Sequence, residues 1–309
     1  MSTLATVVDY RSLFQSYLLT EKRLSRNSVS AYMTDVSQLS EYLEQKYAIA
    51  LGQATGAQLK TYVRFLHNSK SQPRTIARKI SAFKVLYAFL AERYKAENAA
   101  EVLIIPKIEK SLPTYLTHDE IQALIQSAMV DESLKGRRNL IMLQLLYATG
   151  LRITELVMLR LENIHFDTGF LSVIGKGGRQ RDIPVPMQIG EALHYYTRTI
   201  LPPLLVDAGA TVGAKTLLFP TVRNGKITAI TRQAFWGILK KMLVGSGITK
   251  NVSPHTLRHS LATHLLQAGA DIRSLQLWLG HEQMSTVEIY THLDKHMVRK
   301  AYDKKHPRA

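Results

Sequence analysis

The amino-acid sequence predicts a mainly α-helical protein with one small antiparallel β-sheet, divided into a helical first domain and an α+β second domain. Three observations carry this expectation. Apolar residues recur with a 3.6-residue period through the first hundred positions. A single stretch, Phe170–Ile174, alternates as a strand does, between the turn residues Asp167-Thr-Gly169 and Gly175-Lys-Gly-Gly178. Between Ala96 and Leu116 the pattern breaks, and Pro106 and Pro113 bracket a segment too short for an element. The domains are therefore expected at 1–95 and 114–309, joined by a linker over 96–113.

In order along the chain, a first helix is expected around Tyr10–Leu19. A second carries Val29, Tyr32, Met33, Val36, Leu39 and Leu43 on one face, with Asn27 or Ser28 as its cap. Leu59, Tyr62, Val63 and Leu66 mark a third. In the fourth, Ile76, Ile80, Phe83, Tyr87 and Leu90 form the buried stripe, and Arg74 and Arg78 lie opposite among small hydroxyl residues. Such a face is either solvated or suited to a DNA groove, and we take Arg74 and Arg78 as candidate DNA contacts. Thr117-His-Asp-Glu120 is a capping box that restarts helix after the linker. Helices then run through Tyr147 to a stop at Gly150, and Arg152 follows the break, with a salt bridge to Glu155 as its ordinary role. Arg181–Val185 returns as the partner of the Phe170 strand, which puts Lys176 at a hairpin tip. A helix capped near Thr231 buries Phe235, Ile238, Leu239, Met242 and Leu243.

Ser253 and Pro254 start the next helix, with a capping hydroxyl followed by proline at the first helical position. Leu257, Ala262, Leu265 and Leu266 are expected to bury it, while His255 and Arg258, three apart, share a face. It ends at Gly269. Asp271 caps a further helix that stops at Gly280, with His281 just beyond. Ser285-Thr-Val-Glu288 is a second capping box and places Tyr290 on a short helix.

Composition narrows the partner. The 309 residues hold 40 Lys and Arg against 24 Asp and Glu, a formal charge of +16, which points to a polyanion, most often nucleic acid. A membrane partner is not expected, since no apolar run approaches the ~20 residues of a span. No signal peptide is visible, and the chain has no cysteine, which excludes disulfides, thiolate metal sites and cysteine nucleophiles. The expected location is the cytoplasm, in association with the nucleoid.

His255 and His259 have the spacing of two zinc ligands on a helix. The zinc-protease pattern needs Glu directly after the first His, however, and Thr256 stands there. A plain DNA-binding module explains the charge but not so many His, Arg and Tyr at loop–helix junctions. Phosphoryl transfer on a DNA backbone accounts for both. Two guanidiniums can hold the non-bridging oxygens bidentately, which lysine cannot do. A nucleophile, a proton donor and hydrogen-bonding histidines complete the set, with no cofactor and no metal.

The motifs A-T-G-L-R-I-T-E-L, V-I-G-K-G-G-R-Q-R, S-P-H-T-L-R-H-S-L-A-T-H-L, L-G-H and I-Y-T-H-L occur in order, and the chain resembles the tyrosine recombinase (phage integrase) family. More narrowly it resembles the Xer group of chromosome-dimer-resolving recombinases, over its whole length. The resemblance implies a SAM-like core-binding domain followed by a catalytic domain. It implies that Arg152 and Arg258 clamp the scissile phosphate, that Lys176 is general acid, and that His255 assists proton transfer. His281 would bond a non-bridging oxygen and Tyr290 would attack to give a 3′-phosphotyrosine. Glu155 would orient the Arg152 segment, and His259 and His264 would be scaffold. The implied partners are double-stranded DNA, a homo- or hetero-tetramer of Xer-type subunits with the helix over Lys295–Lys305 docked on a neighbour, and a septal DNA translocase as activator. A phage or mobile-element integrase, a type IB topoisomerase and a non-catalytic DNA-binding regulator are the rival readings.

Overall fold

Four helices that each have one apolar face bury those faces against one another in the first of two units, Met1–Ser111 and Leu112–Ala309. The computed structural model describes residues 10–106, 114–175, 178 and 180–279. Lys176, His281 and Tyr290, the Ser285 capping box and the Lys295–Lys305 segment lie outside the described residues.

In the first unit the helices are α1 (Tyr10–Thr20), α2 (Arg26–Tyr47), α3 (Gly56–Asn68) and α4 (Pro73–Tyr94). The cap of α2 is Ser25, earlier than Asn27 or Ser28, because the Ser25 hydroxyl accepts from the Ser28 amide at 3.3 Å. The stripe of Ile76, Ile80, Phe83, Tyr87 and Leu90 is buried on α4, and the Tyr87 hydroxyl donates to the Leu51 carbonyl at 2.8 Å. Asp35 of α2 is 1% exposed and carries the polar part of the interface. It accepts from Arg78 at 2.5 Å and from buried Lys79 at 3.0 Å, and Lys79 also donates to Gln38. Arg78, expected on the face opposite the core, is therefore tethered to α2, while Arg74 is exposed. The connection also differs from expectation. Ala99, Ala100 and Leu103 are buried in this first core, so residues 96–103 pack with the first unit instead of spanning between units.

The second unit is built around α6 (Leu134–Thr149), whose residues from Ile141 to Thr149 are buried on nearly every side. Helices α5 (His118–Met129), α10 (Arg232–Ser246) and α11 (Pro254–Gln267) share its core, and α7 (Ile153–Met158) follows it directly. The expected sheet has three strands, β1 (Ile164–His165), β2 (Phe170–Ile174) and β3 (Gln180–Pro184), in the order β1-β2-β3 and antiparallel throughout. Its register sets Val173 opposite Arg181 and Ile174 opposite Gln180. Phe170 to Val173 are buried on both faces of the strand. Helices α8 (Met187–Tyr195) and α9 (Leu201–Leu205) lead to a second hairpin, β4 (Pro220–Arg223) and β5 (Lys226–Ala229), which the alternation did not reveal. Its turn residues Asn224 and Gly225 both have positive φ, 52° and 70°. Buried Arg138 of α6 holds this hairpin by donating to the Pro220 carbonyl at 2.7 Å. The last described helix is α12 (Ile272–Leu279), and Asp271 accepts from the Ser274 amide at 2.9 Å as its cap.

His264 of α11 belongs to this core. It is 2% exposed, meets the Tyr147 hydroxyl at 2.8 Å through Nδ1, and stacks on His118 with ring centroids 3.8 Å apart. Burial, and secondarily the His118 ring, push its pKa down to about 4 from 6.5. Between those values the unfolded chain binds the proton more readily than the folded one, so stability falls as pH drops. Urea denaturation at pH 7 and pH 4 should show this site costing up to about 3 kcal/mol, and His264→Gln should lose less stability over the same interval.

Candidate active site

The site is assembled around one buried carboxylate, Glu155, 7% exposed at its side chain. Arg152 is the N-cap of α7, so its amide needs an acceptor that the helix cannot supply. Glu155, at the third helical position, provides it: Oε2 accepts from the Arg152 amide at 2.8 Å, and Oε1 accepts from Arg152 Nη1 at 3.0 Å. The expected Arg152–Glu155 salt bridge is thus formed within a capping arrangement.

A second arginine grips the same carboxylate harder. Arg181, from β3, donates Nη1 to Oε1 at 2.9 Å and Nη2 to Oε2 at 2.8 Å, the bidentate geometry that suits guanidinium to carboxylate. Its Nε donates to the Trp278 carbonyl at 3.2 Å. Arg181 was not among the residues expected from the sequence. Its signal was a charged residue inside a strand leading into Ile183-Pro-Val185, five residues past Lys176.

Arg258 comes from α11. The Ser253 cap and Pro254 start that helix as expected, with the Ser253 hydroxyl accepting from the Thr256 amide at 3.2 Å. Leu257, Leu261 and Leu265 bury it. Leu261 takes the place foreseen for Leu266, which is exposed, and Ala262 is half-buried. One turn in, Arg258 is 7% exposed and donates Nη1 to the Gly150 carbonyl at 2.5 Å and Nη2 to the Leu279 carbonyl. Burial lowers its pKa to about 10, Arg152 and Arg181 push the same way, and Glu155 opposes them. Glu155 shows the reverse balance. Burial works to raise its carboxyl, but the Arg181 hydrogen bonds, then the Arg152 amide, hold it below the usual carboxylate range.

Gly150 makes this geometry possible. It ends α6 with φ of 63°, a conformation natural to glycine, and its carbonyl is the Arg258 anchor. A Cβ there would lie 2.6 Å from Leu279 Cδ2 and 3.0 Å from Leu261 Cδ2. Five segments therefore converge: the end of α6, the start of α7, β3, α11 and the end of α12.

Of the expected site residues, Arg152 and Arg258 are brought together here. His255 is exposed on α11, three residues before Arg258 and on the same face. His259 is half-buried, and His264 is in the core. Lys176 falls in the sequence between the paired strands β2 and β3, and α12 ends two residues before His281, both outside the described residues. Glu155 offsets only one of the three guanidinium charges of Arg152, Arg181 and Arg258, so this cluster is net positive. That arrangement can receive a dianionic or strongly polarised oxyanion. Among the described residues no group of three or more His, Asp or Glu could hold a metal ion.

Comparison with known proteins agrees with this geometry. Residues 114–297 match the phage integrase family, and residues 12–94 match the phage integrase N-terminal SAM-like domain. The chain belongs to the phage integrase family. It is 35% identical over 297 residues to the tyrosine recombinase XerD of Staphylococcus saprophyticus, covering 96% of this chain and 98% of that protein. With XerD of Staphylococcus aureus strain Mu50 the identity is 36% over 294 residues, 95% of this chain and 97% of the relative. Among solved structures, the XerH site-specific recombinase bound to its difH substrate in a pre-cleavage complex shares the fold. Its TM-score is 0.66 at 22% identity, over 94% of this chain and 83% of that one. The Tn1549 transposon integrase in complex with circular intermediate DNA also shares it, with a TM-score of 0.67 at 16% identity over 88% and 91%. The protein is a Xer-type tyrosine recombinase, a site-specific recombination enzyme.

Gly150→Ala should cost roughly 2–4 kcal/mol, from the left-handed backbone and the clash with Leu279 together. A thermal melt of the full chain checks this, and an unchanged transition would mean that the α6–α12 approach is looser than described.

Proposed function

We propose that the recombinase cuts and rejoins duplex DNA at a dif-like site through a 3′-phosphotyrosine, and so resolves chromosome dimers. The supporting observation is the cluster of Arg152, Arg181 and Arg258 around the single carboxylate of Glu155. A DNA-binding regulator needs basic residues on its surface. Arg258 is held instead on two backbone carbonyls, and the gathering of three guanidiniums from α7, β3 and α11 in one place is more than surface binding asks for. Those anchors take one hydrogen from each terminal nitrogen of Arg258, and each nitrogen carries a second.

In this reading Arg152 and Arg258 take the two non-bridging oxygens, where negative charge grows in the pentavalent transition state. Tyr290 attacks phosphorus as the bond to the 5′ oxygen breaks, and Lys176 gives that oxygen its proton. His255 moves a proton at the phosphate, and His281 bonds a non-bridging oxygen. A tyrosine of ordinary pKa ~10 is a poor nucleophile at neutral pH, so positive charge around the phosphate is needed to draw off its proton as attack proceeds. The phosphotyrosine ester conserves the bond energy, so rejoining by the 5′-hydroxyl requires neither ATP nor metal. Arg74 and Arg78 of α4 contact the DNA, Arg78 with its tether to Asp35 setting its reach. The active assembly is a tetramer of Xer-type subunits on two sites, with the Lys295–Lys305 segment docking on a neighbour and a septal DNA translocase as activator.

Incubated with nicked genomic fragments, the protein should form a protease-sensitive covalent adduct on a 3′ phosphate, with or without EDTA. Tyr290→Phe should abolish the adduct and leave DNA affinity within about threefold, because phosphate contacts dominate binding. An adduct formed by the Phe variant would sink the assignment of the nucleophile. Sequencing the DNA recovered from wild-type adducts identifies the site, and a sequence without dif-like half-sites would favour mobile-element integration.

A further inference from the structure

Arg74 and Arg78 lie one turn apart on α4, yet they are presented differently. Arg74 is exposed. Arg78 donates Nη1 to Asp35 Oδ2 at 2.5 Å and to the Ala31 carbonyl at 3.2 Å, which commits both hydrogens of that nitrogen to α2. Asp35 is itself 1% exposed and fixed by Lys79, 5% exposed, at 3.0 Å. Buried Lys79 already joins α4 to α2 through this carboxylate, so Arg78 adds a second cation from outside, and its side chain stays 41% exposed. The other edge of its guanidinium, Nε and Nη2, makes no hydrogen bond among the described residues. One turn to either side stand Arg74 and Ser81 on α4 and Ser28 and Gln38 on α2, polar residues with no acid among them.

We propose that Arg78 reads a guanine in the major groove of the recombination site, and that Asp35 is the positioning residue that sets its fork for that base. The proposal rests on the reading that this face of α4 meets DNA. A phosphate contact depends on charge and tolerates a mobile side chain, whereas a base contact depends on direction. The Asp35 tether weakens the first property and strengthens the second. A carboxylate on Nη1 offsets part of the guanidinium charge, and it removes freedom that a long side chain would otherwise lose on binding. What remains is a pair of N–H groups on one edge, the pattern that fits O6 and N7 of guanine. Adenine sets an amino donor in place of O6 and turns it against one of those N–H groups, so the same fork discriminates. Arg74, exposed and one turn nearer the start of α4, is suited by the same reasoning to a phosphate.

The probe is a pool of duplexes of random sequence, from which the full-length wild-type protein and each variant select what they bind, with salt dependence measured on one selected duplex. Wild type should prefer guanine by about tenfold or more at one position where Arg78→Ala has no preference. With that guanine replaced by 7-deazaguanine, in which C–H stands in place of N7, wild type should bind about fivefold or more weaker and Arg78→Ala no differently. Arg74→Ala should keep the guanine preference, bind every sequence more weakly, and lower the slope of log affinity against log salt by about one. Asp35→Asn should lose the preference as Arg78→Ala does. It should nonetheless bind duplexes lacking that guanine at least as tightly as wild type, because a negative charge has been removed. A failed structural brace weakens binding to every sequence, so the two roles move nonspecific affinity in opposite directions.

A selected pool in which no guanine depends on Arg78 overturns the proposal. So does a uniform loss of affinity in Arg78→Ala with the salt slope lowered by about one, which makes Arg78 a phosphate contact. If Asp35→Asn loses the wild-type melting transition, Asp35→Asn/Lys79→Gln replaces it, since that variant leaves no buried cation unpaired. A guanine preference kept without the carboxylate refutes the role of Asp35. Unchanged affinity, preference and salt slope in both Arg74→Ala and Arg78→Ala would instead defeat the reading that this face meets DNA.

Discussion

The second unit depends on how one buried negative charge is shared. Glu155 is out of water, and burial alone would drive its carboxyl toward the neutral form. Arg152 and Arg181 keep it ionised, and in doing so they fix their own guanidiniums against each other. Removing one partner from such a buried set is costly because the others are left uncompensated. The same constraint explains why the site is built from distant segments. A carboxylate at the third position of α7 reaches its own N-cap, a strand residue crosses to it, and Arg258 arrives already anchored on Gly150 and Leu279. Each anchor is a backbone carbonyl or a carboxylate oxygen, so the arginines are preorganised without help from a ligand.

An arrangement of the same kind recurs in the first unit, with a different outcome. Asp35 takes one cation from the protein interior, Lys79, and one from its edge, Arg78. There the carboxylate joins two helices and leaves a partly exposed arginine at their border. In both units a buried acid sets the reach of an arginine.

The parts of this fold legible in the sequence are those set by neighbours a few residues apart. The Thr117, Thr231 and Ser253 caps, the Gly150 stop and the α4 stripe all act within one or two turns, and each stands where its local chemistry put it. The β2–β3 hairpin was legible for the same reason. What escaped depends on long-range contact. The pairing of Arg181 with Glu155 spans 26 residues, and the local signal, a charged residue inside a strand, does not name its partner. Leu266 has the period of a core residue but sits beyond the packed face of α11. Strands β4 and β5 carry an Asn-Gly turn, but at four residues each and partly exposed they are too short for a pattern of alternation to stand out. The tether of Arg78 to Asp35 was hidden because nothing local to Arg78, read as a candidate DNA contact, points to an acid 43 residues away.

The central claim is that Arg152 and Arg258, held in place around Glu155 and on the Gly150 and Leu279 carbonyls, meet the scissile phosphate. A crystal structure of the Tyr290→Phe protein on an uncut duplex carrying its site tests this directly. The account predicts the scissile phosphate within hydrogen-bonding distance of the Arg152 and Arg258 guanidiniums, with both Glu155 oxygens still on Arg181. A phosphate bound elsewhere would contradict it.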